Sequence, residues 1–259
     1  MTSINAPILF TRREIPFFYD KSPAEFKQDP YERYDDMVSK QSALHLADAL
    51  WGHYPIQPVM DFAQHLYPSY EQANILEIGC GVGRWIGSLA HQYPKAQCWG
   101  IDYSYQMLKR AHEYWLLGKT LELNLANRGF STPIFVPGHQ LENLQLGLAK
   151  ATALPFSDQS QDLVLSSFLL DRIEDPQAGL DEMYRVLKQQ GRLILVTPLN
   201  FHHEQQWVDY YPPPKLRARV QQMGFELELW QENLHIFEPL DAHGNAVIWK
   251  CVALIALKK

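Results

Sequence analysis

Apolar positions in this chain alternate between short continuous runs and helical spacing. The run Asn74-Ile75-Leu76-Glu77-Ile78 breaks into Gly79-Cys80-Gly81-Val82-Gly83, and helical spacing follows over 85–91. Short apolar runs bounded by turn residues predict buried strands, and apolar residues recurring every three or four positions predict helices. A second strand is therefore expected at 97–102, and a helix capped by Ser104 over 105–117 that stops at Gly118. Third, fourth and fifth strands are expected at 144–149, 162–167 and 192–197. Between the last two, Asp175-Pro176 opens a helix with an apolar face of Leu180, Met183, Tyr184 and Leu187, ended by Gly191. A helix over 215–223 and two antiparallel strands at 225–230 and 246–257, joined by a turn at 241–245, complete the chain.

The flanks read differently. Pro7, Pro16, Pro23 and Pro30 predict an extended arm over 1–30, and the spacing of Tyr34, Met37, Val38, Leu44, Ala47 and Trp51 predicts one helix over 31–51. A second helix is expected over 57–66, so 1–72 reads as an arm and helical cap, and 73–259 as the main domain. Turn signals at Asn127-Arg128-Gly129 and Val136-Pro137-Gly138-His139 mark 119–143 as an insertion, either a hairpin or a short helix with a loop. Alternating strands and helices give an α/β class: a Rossmann-like, seven-stranded, mostly parallel sheet with a C-terminal antiparallel hairpin and an N-terminal helical cap.

Composition narrows the partners. A net charge of −6 without clustered Lys and Arg argues against a nucleic-acid footprint. Three widely spaced cysteines suit reduced thiols in a cytoplasmic protein better than a disulfide framework or a zinc site. No leader pattern or bilayer-length apolar run is visible, so a cytoplasmic protein without membrane contact is expected, as monomer or homodimer.

The glycine turn is the candidate cofactor loop. A dinucleotide site would place a small third residue where Arg84 stands. Instead the order is acid-x-Gly-x-Gly-x-Gly, with Glu77 before the turn and Asp102 closing the next strand, where an acid can bind ribose hydroxyls. Two carboxylates favour a positively charged nucleoside over a phosphate.

These residues resemble motif I and the acidic second motif of class I S-adenosylmethionine-dependent methyltransferases. The stretch Ala153-Leu154-Pro155-Phe156-Ser157-Asp158, Asp175-Pro176 and the run Tyr184–Leu193 are similar to later motifs of that family. The resemblance implies S-adenosyl-L-methionine as cofactor, with Gly79, Gly81, Gly83 and the adjoining Arg84 along its methionine and ribose portion. It also implies Glu77 near the methionine amine and Asp102 on the ribose. Tyr103, Met107, Ala151 and Thr152 fall at the adenine, where Lys150 replaces the family's usual acid. Ser167 and Phe168 fall beneath the reactive methyl.

The acceptor side is less specific. Asp171, His202 and His203 are candidate catalytic groups, and Tyr34, Arg172, Trp207 and Tyr211 are candidate substrate contacts; no metal set is visible. The fourth strand lacks the Asn/Asp-Pro-Pro-aromatic motif of enzymes that methylate exocyclic amines of nucleic acids or protein glutamine, which points to a small polar acceptor. A second resemblance, to the methyltransferase domain of ovothiol synthases, rests on Leu169–Pro176, the tyrosine-rich N-terminal helix and Val247-Ile248-Trp249-Lys250. It implies methylation of an imidazole nitrogen of a thiohistidine-type substrate. A quinone or lipid-precursor acceptor, or a cofactor-binding scaffold without turnover, are the alternatives.

Overall fold

A computed structural model describes residues 4–64 and 70–259. The chain begins with a hairpin, β1 (Phe10–Arg12) and β2 (Ile15–Phe17), followed by the short helices α1 (Pro23–Gln28) and α2 (Pro30–Arg33). Helices α3 (Asp35–Leu46), α4 (Asp48–Trp51) and α5 (Gln57–Gln64) follow. The single helix expected over 31–51 is thus three. Tyr34 and Ala47 leave helical geometry, at φ/ψ of −117°/107° and −101°/64°, so the apolar face turns twice as it wraps the domain. The end of the helix expected over 57–66 lies outside the described residues.

The central unit runs β3 (Asn74–Ile78), α6 (Arg84–Gln92), β4 (Gln97–Asp102), α7 (Tyr105–Trp115), then β5 (Leu121–Leu123) and β6 (Ile134–Val136). It continues with β7 (Leu144–Leu148), β8 (Gln161–Ser167), α8 (Pro176–Val186) and β9 (Leu187–Thr197). Leu187 belongs to strand β9, where it pairs with Gln161, and not to the preceding helix. Helices α9 (Glu204–Tyr210) and α10 (Pro213–Gln222) lead into β10 (Phe225–Pro239) and β11 (Ala246–Lys258). Helix α9 lies between the strand expected at 192–197 and the helix expected over 215–223, where the sequence pattern predicts no element.

One sheet holds nine of these strands in the order β1-β2-β7-β4-β3-β8-β9-β11-β10. Its seven-stranded core is as expected, with β7, β4, β3, β8 and β9 parallel and β11 and β10 antiparallel. The N-terminal hairpin adds two strands, since Phe17 pairs with Leu148 of β7. The arm is therefore docked on the sheet rather than merely extended. Strands β5 and β6 form a separate two-stranded sheet, so the insertion is a hairpin. Apolar clusters fill both faces of the large sheet, one under α6, α7 and the cap, the other under α8 and α10. Among the described residues no helix is long and apolar enough to cross a membrane.

Two consequences position the site. From β3 the chain winds outward through β4 to β7, then returns to β8 on the other side, which makes the carboxyl ends of β3 and β8 the topological switch point where open α/β sheets bind ligands. Secondly, β11 pairs with β9 only from Val252↔Thr197 to Leu257↔Arg192, while β10 and β11 stay paired out to Pro239↔Ala246. The outer half of this hairpin, roughly 20 Å long at strand rise, therefore stands beyond the carboxyl edge of the sheet. It rests on the cap and the insertion: α5 packs against both strands, and Ala242 N–H donates to the Arg128 carbonyl at 2.9 Å.

Candidate functional site

At the end of β3, Gly79, Gly81 and Gly83 all have positive φ (75°, 55° and 76°), a region that penalises side chains. Space is limited as well. A Cβ on Gly79 would lie 3.1 Å from Leu169, and one on Gly81 3.2 Å from the Met107 methyl. The turn is anchored to the next strand by Gly79 and Cys80 N–H groups donating to the Ile101 carbonyl at 2.8 and 3.0 Å. Gly81 N–H then donates to Asp102 Oδ2 at 2.7 Å, and Ser104 N–H to Oδ1 at 2.7 Å. Loop and acid are thus one preformed unit. Burial raises the Asp102 carboxyl above its ordinary value, opposed by these two backbone donors.

Glu77 is buried, at 3% exposure, and its Oε2 accepts from Ile86 N–H at 2.9 Å in the first turn of α6. Burial pushes this carboxyl up to about 8, with the Ile86 hydrogen bond pulling down and Asp102 pushing up. Arg84, by contrast, turns from the loop toward the cap. Its guanidinium meets Asp48 in a two-pronged pair at 2.7 and 2.9 Å, donates to the His45 carbonyl at 3.1 Å and lies 4.3 Å over the Tyr54 ring. The bulk that breaks the dinucleotide pattern thus fastens helices α3 and α4 to α6.

Beyond Asp102, Tyr103 stacks on Tyr19 with centroids 6.0 Å apart and carries the Lys21 ammonium 3.9 Å over its ring. Met107 lies under Gly81 in the first turn of α7, and Ala151 and Thr152 follow β7 in a turn closed by Ala153 N–H to the Lys150 carbonyl at 3.1 Å. All four stand at the carboxyl ends of β4 and β7, beside the Gly81–Asp102 unit.

On the other side of the switch point, Ser167 ends β8 and Phe168 adopts φ 54°, a conformation that costs a non-glycine residue about 1–3 kcal/mol. Its N–H donates to the Val196 carbonyl at 2.9 Å, and its ring meets Trp249 edge-on with centroids 6.2 Å apart. Trp249 Nε1 donates to Glu238 at 2.7 Å, and Lys40 of α3 pairs with the same carboxylate at 2.5 Å. These three residues were not among the sequence candidates, because only the overhang of β10 and β11 brings them to the site. Tyr31 was read as part of the cap. Burial raises its phenol, with Asp102, Asp29 and Glu238 pushing the same way and Arg172 opposing.

The remaining candidates divide by exposure. Asp171, 1% exposed, has Oδ1 accepting from the Thr197 hydroxyl at 3.2 Å and Oδ2 3.6 Å from Arg172 Nε. Burial raises its carboxyl and Arg172 pulls it back. Arg172 Nη1 reaches His202 Nε2 at 2.8 Å, which joins β8 to the loop after β9. His203 is exposed at the start of α9. Trp207 and Tyr211 meet edge-on at 5.4 Å on α9, with Trp207 Nε1 donating to the Phe201 carbonyl at 2.9 Å. Both are exposed, as is Tyr34, which contacts Arg33 of its own turn. The structure brings Asp171, Arg172 and His202 together and leaves His203 and Tyr34 apart from them. Among the described residues, no three His, Cys, Asp or Glu side chains are arranged to hold a metal ion.

Comparison with known proteins agrees with this geometry. Residues 76–195 match a family model described as a methyltransferase domain. The chain is 32% identical over 124 residues to a demethylmenaquinone methyltransferase of Listeria monocytogenes, covering 48% of this chain and 44% of that protein. It is 30% identical over 137 residues to a malonyl-[acyl-carrier protein] O-methyltransferase of Hahella chejuensis, covering 52% and 40%. The chain thus spans less than half the length of these curated relatives. In fold it is similar to a SAM-dependent methyltransferase from Aquifex aeolicus, at TM-score 0.53 and 15% identity over 87% of this chain and 100% of that one. It is also similar to a possible histamine N-methyltransferase from Thermotoga maritima, at TM-score 0.53 and 19% identity over 88% and 98%. Residues 76–195 are thus similar to a methyltransferase domain, and the glycine turn and the acid after β4 both lie within that matched segment.

Proposed function

We propose that the protein transfers a methyl group from S-adenosylmethionine to a small polar acceptor held between the switch point and the overhanging hairpin. The observation that carries this reading is the Gly81–Asp102 hydrogen bond, which presents a glycine cradle and a carboxylate as one rigid surface. The residues fit the cofactor. Gly79, Gly81 and Gly83 hold a tight turn that a Cβ would disrupt, Asp102 keeps lone pairs for ribose hydroxyls, and Glu77 sets a buried carboxyl near the methionine end that a bound ammonium would favour in its ionised form. The cofactor supplies an electrophilic methyl on a sulfonium. The protein's part is to hold an acceptor in line with it, which can contribute ~7–11 kcal/mol through effective molarity.

On the acceptor side, Phe168 and Trp249 offer two aromatic walls, Arg172 a cation and Glu238 an anion. A flat, polar, zwitterionic molecule suits that set, and supports the finer reading of an imidazole nitrogen on a thiohistidine-type substrate. His202 Nε2 accepts from Arg172, which leaves the ring proton on Nδ1 as a donor toward a polar acceptor. A quinone acceptor is the second reading, favoured by exposed Trp207 and Tyr211 on α9. The test is transfer of labelled methyl to a thiohistidine, a demethylated quinone and a malonyl thioester. Transfer to the first alone supports the reading; transfer to the quinone alone replaces its finer part. Tight S-adenosylhomocysteine binding without transfer to any member of a broad metabolite panel would favour a scaffold.

A further inference from the structure

The segment 19–32, ahead of the matched domain, lies across the carboxyl ends of β4 and β7. It is anchored by charge. Lys21, with a side chain only 6% exposed, bridges Asp29 at 2.6 Å and Glu32 at 3.2 Å, and Glu32 Oε1 accepts from Tyr105 N–H at 2.5 Å at the start of α7. One strand further out, Glu25 accepts from the Tyr19 hydroxyl at 2.7 and 2.8 Å and from Ser22 N–H at 2.9 Å. Lys150, just past β7, meets Glu25 Oε1 at 2.9 Å and stands 4.1 Å over the Tyr19 ring.

The order of these groups follows the order of the cofactor's parts. The glycine turn ends β3, Asp102 ends β4 and Lys150 follows β7, so a ligand whose ribose sits at Asp102 carries its base toward Lys150 and Glu25. A carboxylate beside an ammonium offers an acceptor next to a donor. That is the complement of the adenine edge, whose exocyclic amino group donates and whose neighbouring ring nitrogen accepts. The two side chains are 28% and 36% exposed, so both remain open to a ligand.

We propose that Glu25 and Lys150 together read the adenine base, Glu25 accepting from the amino group and Lys150 donating to the ring nitrogen. Recognition of the base is then shared between the N-terminal segment and the turn after β7. This inference rests on the cofactor reading above.

Calorimetry with S-adenosylhomocysteine and S-inosylhomocysteine tests it, because inosine replaces the amino donor by a carbonyl acceptor. Wild-type protein should favour the adenosyl compound by about tenfold or more, the worth of a charge-assisted hydrogen bond. Glu25→Gln keeps the cap on α1, since glutamine also serves at that position of a capping box. Its amide presents donor or acceptor, so the preference should fall toward unity, chiefly through loss of affinity for the adenosyl compound. Lys150→Met should weaken the adenosyl compound as well. An unchanged adenosyl-to-inosyl ratio in Glu25→Gln, with S-adenosylhomocysteine binding still lost in Asp102→Asn, would overturn this inference and leave the cofactor reading standing. Failure of wild-type protein to bind S-adenosylhomocysteine would overturn both.

Discussion

Trp249 Nε1 donates to Glu238 Oε2 at 2.7 Å across the outer half of the C-terminal hairpin, where no other strand among the described residues pairs with it. Glu238 is gripped a second time by Lys40 from the cap, and Trp249 leans on the strained Phe168. Strand, cap and hairpin thus meet over the acceptor side. Trp249→Ala should raise the KM for the acceptor about tenfold, ~1.4 kcal/mol, while leaving S-adenosylhomocysteine affinity within a factor of two. Steady-state kinetics alongside calorimetry reads the split. Equal losses in both would show that Trp249 supports the whole site instead.

The glycine turn is sensitive to a single methyl group. Gly81→Ala places a side chain at φ 55° and within 3.2 Å of Met107. The left-handed conformation alone costs about 1–2 kcal/mol, so the urea midpoint should drop and cofactor binding should weaken. Denaturation monitored by circular dichroism checks the first. A stability equal to wild type would mean the turn relaxes freely and is not preformed.

Glu77 makes stability depend on pH in a defined direction. The folded carboxyl keeps its proton up to about 8, against an ordinary 4.5, so the folded chain holds a proton that the unfolded chain has lost between those values. Stability from this group is full below the lower value and declines as pH rises to the upper one, by at most ~1.4 kcal/mol per unit. Glu77→Gln should flatten that decline in the ligand-free protein. Urea midpoints of both proteins at pH 5.5 and 8.5 provide the comparison, and parallel profiles would refute the assignment.

Arg84 fastens the cap through its pair with Asp48, whose side chain is 48% exposed. Solvent screens such a pair, so Arg84→Lys should cost no more than ~1 kcal/mol of global stability. Loss of the two-pronged geometry should nevertheless loosen α3 and α4. Hydrogen exchange confined to those helices would show this, and unchanged exchange there would not fit the tether.

Much of the central unit was legible because its signals are local. The strand at 97–102 and the Ser104 cap were read residue for residue, since an apolar run and a capping hydroxyl carry their own periods. The Gly79, Gly81 and Gly83 turn was equally plain, its positive φ values matching what alternating glycines allow. What depended on distant contacts was not legible. Strand β10 was expected to stop at Trp230, but after a register shift between Gln231 and Leu234 it resumes its pairing with β11 as far as Pro239. Trp249, Glu238 and Lys40 are far apart in sequence and meet only through that extension. Three-residue strands such as Ile15–Phe17, with a proline at the centre, are too short to show a period. Arg84 was placed with the cofactor loop by position alone, while its partner Asp48 lies in a helix whose packing the sequence did not reveal.

The central claim is that the Gly81–Asp102 unit holds the ribose of S-adenosylmethionine, and calorimetric titration of S-adenosylhomocysteine into wild-type and Asp102→Asn protein tests it most directly. Asparagine can still accept from Gly81 N–H but then turns its amide toward Ser104 N–H, so a urea midpoint measured beside the titration separates loss of the turn from loss of the charge. The account predicts a loss of ~1.5–3 kcal/mol of binding free energy, the worth of a charge-assisted hydrogen bond. Equal affinity in the two proteins would contradict it.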